Sequence, residues 1–358
     1  MNSLIYVVTL AVSIIIAFLS KYLRLTKSIQ EFGYFISFLP LTILGAIRGY
    51  VGIDYYTYSL VQIPEVLAGS NTVKFELLDK FIVFIGYNLA HQQHYFYIFA
   101  IFHCVLMYFA YKYVVEQSDD VPLSLFIFVA SVYYSFSLSG IRQSIATLIV
   151  FYSIKYLKSK RFVHFLICIL IASLFHKSSL VYICLILLEL FEIRNSIKII
   201  LTGISVYTAY IGSTFISDIM KKYNFYSEYI GSKFYNGEFN TTHQLYVLIL
   251  CSVVMLLALL LGSEQRKKNR IYLNINFIMF LVGILQPILP TPSRVIFMFA
   301  PVHIVLIPNL LNEIKSKKIR MFILFFLISF LGIFFSVMVF KRNVYETIPY
   351  KTFFEYIN

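Results

Sequence analysis

Four cations and a carboxylate sit where apolar runs of the chain begin or end. Arg48-Gly49-Tyr50-Val51-Gly52-Ile53-Asp54-Tyr55-Tyr56-Thr57-Tyr58 closes one run with a guanidinium, two glycines, a carboxylate and four tyrosines. Hydrocarbon would leave these charges and this backbone unsatisfied, so the segment must cap a membrane helix and face water or a cavity. Arg142, Lys177 and Arg294 lie beside Ser139, Ser178 and Ser293, each at the head of a further apolar run. Serine suits a helix N-cap, and a helix N-terminus offers free N–H groups and partial positive charge. Three such ends with three cations describe an anion site. Arginine forks two hydrogen bonds onto phosphate. One charge pair at about 4 Å and an effective dielectric of about 20 gains about 4 kcal/mol before desolvation. The same cations also fit side chains snorkelling to lipid headgroups.

Two residues could take a proton from a hydroxyl. His176, in Leu174-Phe175-His176-Lys177-Ser178, is the first choice, because neutral imidazole is a general base. Asp54 is the second, although it equally suits a partner for Arg48 or a turn after Gly52. Tyr55, Tyr58, Gln143 and Ser139 would support such a site. The aromatic residues of 50–58 and 223–239 could stack on sugars, or form an aromatic belt at the membrane surface. His91 and His94 have metal-compatible spacing but no third ligand nearby, so neither a metal nor a cofactor is expected. His103, His164 and His303 fall inside apolar runs and read as structural. The chain has no P-loop, Rossmann glycine pattern, GxSxG or HExxH.

The elements that must position these groups are membrane helices. Apolar residues make up 59% of the 358 residues and charged residues 13%, about half the charge of a soluble domain. Apolar blocks cover 4–20, 33–47, 94–111, 122–137, 140–157, 162–175, 178–191, 197–216, 243–262, 271–289, 294–311 and 321–340. They predict an all-α polytopic bundle of about twelve spans in a single integral membrane domain over 1–358, with outer loops at 48–93 and 217–242. Nothing basic precedes Lys21, so the first block reads as a span and not a signal peptide. Cys104, Cys168, Cys184 and Cys251 lie within apolar blocks and read as small hydrophobes.

Charge sets the sidedness. If 75–90 does not cross, the inner segments carry 18 of the 30 Lys and Arg, including KSKR (158–161), RKKNR (266–270) and KSKK (315–318). Crossing would place every later run outside, against the positive-inside tendency. Residues 75–90 are therefore read as an outer interfacial or re-entrant helix, with Phe75, Leu78, Ile82 and Ile85 on one face. The net charge of +13 is then an orientation signal, and no nucleic-acid partner is expected. Both termini fall outside. Arg48, Asp54, Arg142, His176, Lys177 and Arg294 share that face, whereas the acidic pair Asp119-Asp120 falls on the opposite one.

Several of these pieces together resemble the EpsG family, within the Wzy-type oligosaccharide repeat-unit polymerases. They are Arg48 with Gly52-Ile53-Asp54-Tyr55 and Tyr58, Ser139-Gly140-Ile141-Arg142-Gln143-Ser144-Ile145-Ala146, Phe175-His176-Lys177-Ser178-Ser179, Pro292-Ser293-Arg294 and Ile348-Pro349-Tyr350. Around Glu76 the chain departs from the family, with Leu77-Leu78 where Pro-Gly is usual. The resemblance implies a GT-C-like membrane glycosyltransferase in the bacterial cytoplasmic membrane, with its active site extracytoplasmic. It implies transfer of a growing glycan from undecaprenyl pyrophosphate to a lipid-linked repeat unit, for O-antigen, capsule or exopolysaccharide. Partners would be the undecaprenyl-pyrophosphate-linked oligosaccharide and membrane lipid, with a chain-length regulator and a flippase as further candidates. On this reading Arg142 and Arg294 hold pyrophosphate, Arg48 and Lys177 assist, and His176 or Asp54 is the base. The rival readings are a polysaccharide ligase, an acyltransferase, and a lipid-linked oligosaccharide flippase or exporter.

Overall fold

The computed structural model describes residues 4–23, 26–70, 75–89, 95–191, 193–222, 241–289 and 291–356. Among them the chain is helical without a strand, and one isolated bridge pairs Arg48 with Thr352. Six helices are long and apolar enough to cross a membrane, or eight spans if each of two bent pairs counts as one. Their outward faces are apolar: Leu4, Ile15, Phe322 and Phe325 are all more than half exposed. Water would penalise such a surface, whereas lipid does not. The chain forms two compact units, Met1–Cys184 with Lys315–Asn358, and Leu185–Ile314.

The first unit opens with the hairpin α1 (Leu4–Tyr22) and α2 (Lys27–Ala46). A turn at 47–52 leads to α3 (Ile53–Thr57), which runs through a π turn at Tyr58–Gln62 into α4 (Ile63–Leu67). Then come α5 (Leu77–Leu89), α6 (Phe96–Gln117), α7 (Val121–Ala130), α8 (Tyr133–Ser139), α9 (Ile141–Lys158) and α10 (Phe162–Ser173). The expected outer loop over 48–93 is thus largely helical where it is described. The central helix is α9, with 13 of its 18 residues buried, packed by α6, α8 and α10. Between α7 and α8 the axis bends by 57° at Val132, whose φ of 66° is left-handed. A β-branched residue adopts that region only under strain. The bend carries Leu138 and Ser139 to the 47–53 turn.

Some helix starts differ from expectation. Ser139 does not cap α9; Gly140 holds that place. Its hydroxyl instead accepts from the N–H of Ile53 at 3.0 Å, satisfying a free donor at the head of α3. Ser178 lies inside a 3₁₀ run, Lys177–Cys184, where an α-helix was expected. A 3₁₀ turn rises about 2.0 Å per residue against about 1.5 Å, so this short block reaches further than an α-helix of equal length would. On α5 the buried face is Asp79, Ile82, Val83 and Gly86, continued by Phe75 just before the helix. Leu78 and Ile85 are only partly covered, because Asp79 is drawn inward by a cation.

The second unit comprises α11 (Leu185–Leu190), α12 (Asn195–Lys222), α13 (Thr241–Leu259), α14 (Ser263–Lys268), α15 (Arg270–Leu285), α16 (Pro292–Phe299) and α17 (Val302–Asn312). Asn276 on α15 ties three helices: it donates to the Cys251 carbonyl at 3.1 Å and meets His303 Nε2 at 2.7 Å. Arg270 pairs with Glu189 at 2.9 Å. Ser293 was expected to cap its helix, but α16 starts at Pro292 after a left-handed Thr291, as the fixed φ of proline at a first helical position favours. Residues 223–240, most of the expected outer loop 217–242, lie outside the described residues.

The chain returns to the first unit with α18 (Lys317–Phe335) and a tail that clasps the 47–52 turn. Gly49 N–H donates to Lys351 O at 3.0 Å, Phe353 N–H to Ile47 O at 2.9 Å and Gly52 N–H to Glu346 O at 3.2 Å. Tyr350 donates to Leu44 O at 2.6 Å and Tyr6 to Thr347 O at 2.9 Å. Gly52 needs to be glycine: its φ is 104°, and a Cβ there would lie 2.8 Å from Leu138 O.

Candidate active site

The site is built on the first turn of α9. Arg142 points from it to α5, where Nη1 donates to Glu76 Oε2 at 2.9 Å and Asp79 Oδ2 at 3.2 Å. Its Nε meets the Tyr58 hydroxyl at 3.5 Å. The guanidinium lies 4.3 Å from the Phe75 ring centre and 5.5 Å from that of Tyr58, both within cation–π range. The ion pair is shielded, with Asp79 fully buried and Arg142 17% exposed, so solvent screens it weakly. Tyr58, Phe75, Phe99, Phe102 and Arg142 line a narrow pocket beside it.

Glu76 reaches in two directions. Its other oxygen accepts from the backbone N–H of Lys177 at 3.3 Å. Two residues further along, Leu78 N–H donates to Leu174 O at 3.1 Å. The start of α5 is therefore stitched to the turn after α10. That turn is tight, with the N–H groups of both Phe175 and His176 on Ala172 O at 3.0 Å, and it holds His176 half-buried and Lys177 exposed.

Two carboxyl groups on one guanidinium cannot both ionise cheaply. Burial pushes the Asp79 carboxyl up to about 8 against the pull of Arg142, and its hydrogen bond with Glu76 pushes the same way. Of the two acids, Asp79 is the one held toward its neutral form.

The other sequence-derived residues divide by position. Asp54 is half-buried in the first turn of α3, one turn before Tyr58. Gln143 is buried on α9. Tyr55 stacks on Phe99 at 3.9 Å, so neither it nor Tyr58, at 9% exposure, presents an open face to a sugar; Tyr56 is the exposed ring of the segment. Arg48 is 1% exposed and donates to Gly45 O at 3.0 Å and Leu138 O at 3.1 Å. It packs against Tyr55 and Phe99 and does not line the pocket. Its fork joins α2 to α8 through these two carbonyls. In the second unit Arg294 is exposed in the first turn of α16, three residues before Phe297, which packs on the buried His243 at 5.5 Å. His91 and His94 lie outside the described residues.

Across residues 31–352 the chain matches the family described as EpsG. The chain belongs to the EpsG family. EpsG is related to the Wzy-type polymerases, and membership makes this a membrane protein of polysaccharide biosynthesis. No curated protein and no solved structure matches the chain. In this EpsG-family protein two of the motif segments, those around Arg142 and His176, are drawn together by Glu76 and Asp79. Sequence reasoning did not assign a role to either acid. The available signal was their i, i+3 spacing at the head of an amphipathic helix.

Proposed function

We propose that this protein polymerises oligosaccharide repeat units outside the bacterial cytoplasmic membrane, taking the growing glycan from undecaprenyl pyrophosphate. The observation that carries this reading is the Arg142 cluster joined to the His176 turn, in a chain of the EpsG family. The reaction breaks the bond between the anomeric carbon and the pyrophosphate oxygen. It forms a glycosidic bond to a hydroxyl of the incoming lipid-linked unit, and that hydroxyl loses its proton. Arg142 takes up the charge developing on the pyrophosphate, assisted by exposed Lys177, whose backbone N–H shares Glu76 with it. His176 accepts the proton, and Asp54 is the second choice. Pyrophosphate leaves without a proton donor, so no acid is assigned. Arg294 is proposed to bind phosphate as well.

The finer architecture belongs to the same proposal. All twelve apolar blocks overlap helical segments, six to eight of which qualify as spans by length and composition; the proposal takes the remaining blocks as further spans, about twelve in all, in a GT-C-type arrangement. Cations gather at one end of the first unit, where Lys21 meets Asp120 and Lys112 and Lys155 meet Glu116. By the positive-inside tendency that end is cytoplasmic and the Arg142 end is not.

The test is a glycan ladder in a knockout strain. Wild type restores long chains, whereas Arg142→Ala and Arg294→Ala leave single repeats attached. Normal ladders from both variants would refute the phosphate assignment. A knockout with nothing attached points to a ligase, and repeats trapped on the cytoplasmic leaflet point to a flippase.

A further inference from the structure

Glu76 is placed to do something that neither Arg142 nor His176 can do alone. It is the link drawn between the two motif segments: one oxygen on the α9 guanidinium, the other on the backbone N–H of Lys177. Both partners are donors, so both oxygens must accept. A carboxylate meets that need, whereas an amide offers one acceptor and one donor. The side chain is 10% exposed, so water competes poorly for the bond to Arg142. The backbone around it is fixed by the Leu78–Leu174 hydrogen bond, and Asp79 backs the same guanidinium nitrogen from the buried side. A group held at both ends and along its backbone sets a distance.

We infer that Glu76 is a positioning residue, whose carboxylate fixes the guanidinium of Arg142 in register with the turn that carries His176. This rests on the polymerase reading and adds a residue to it. Glu76 touches no reacting atom; it acts through Arg142 and the His176 turn. The chemical step needs the phosphate grip and the base to be aligned at once, and a misplacement of about 1 Å costs about 100-fold in rate. Binding of the lipid-linked donor needs only the cations. Loss of Glu76 therefore lowers kcat and leaves KM nearly unchanged.

The experiment uses the full chain in proteoliposomes, supplied with lipid-pyrophosphate-linked repeat units isolated from the knockout strain. Rates are expressed per folded molecule, counted by size-exclusion chromatography. Glu76→Gln is expected to lower kcat by about 10–100-fold with KM within about threefold of wild type. Glu76→Asp keeps the charge but is one methylene short, so it should show the same split, as a charge-only role would not. A wild-type kcat in either folded variant overturns the inference, and so does a loss confined to KM. If neither variant folds, Glu76 is a determinant of the fold and the inference falls. A wild-type protein that makes no polymer sinks the polymerase reading instead, which keeps the two failures apart.

Discussion

Asp79 and Arg48 are both buried ionisable groups, and they cost the protein in different ways. Asp79 ordinarily titrates near 3.8 and is raised to about 8 here. A raised carboxyl favours the folded state while it is protonated, so its contribution is complete below about pH 4 and is lost as pH rises to about 8. Thermal unfolding in detergent should show wild-type stability falling across that window, and Asp79→Asn should flatten the slope. Equal slopes would mean that Asp79 is ionised at neutral pH. Arg48 has no carboxylate partner among the described residues and spends its fork on two carbonyls. Lysine lacks the fork. Arg48→Lys should therefore lose about 1.5–3 kcal/mol, read as a lower melting temperature. If the melt is unchanged, the bridge between α2 and α8 is not stabilising.

Helix α5 carries the acids but is aimed by its far end. Gly86 lies against α6, where an added Cβ would come within 2.5 Å of the Ile98 side chain and 2.7 Å of its backbone. Backbone cannot yield cheaply, so Gly86→Ala should push α5 away at a cost of about 1–3 kcal/mol. The displaced helix would withdraw Glu76 and Asp79 from Arg142, and polymerisation should fall with stability. Full polymer length in Gly86→Ala would show that α5 is not what positions the acids. This dependence was hard to read from the chain. The apolar spacing of α5 suggested a stripe through Leu78 and Ile85, and only the pull of Arg142, 63 residues away, explains why Asp79 turns inward. Ser139 was misassigned for a related reason: its partner, Ile53, is 86 residues distant. By contrast, the blocks that form the helices were legible, because hydrocarbon selects composition locally.

At the scale of the first unit, charge segregates by end. Lys21, Lys112 and Lys155 sit at one end of the first unit, and Arg48 and Arg142 at the other. The tail was a different matter. Ile348-Pro349-Tyr350 was visible as a motif, but nothing local told that it clasps the 47–52 turn. Orientation can be read with single cysteines in a chain whose four native cysteines are replaced. An impermeant maleimide applied to intact cells should label Tyr56→Cys and spare Lys158→Cys; the reverse pattern would invert the topology. The central claim, that Arg142 grips a diphosphate, is tested most directly by binding. Purified wild-type protein and Arg142→Ala are titrated with undecaprenyl pyrophosphate and with undecaprenyl monophosphate. The account predicts tighter binding of the diphosphate by wild type, and a loss of about 10–150-fold in the variant, the equivalent of one charged hydrogen-bonding partner. Equal diphosphate affinity in wild type and Arg142→Ala would contradict it.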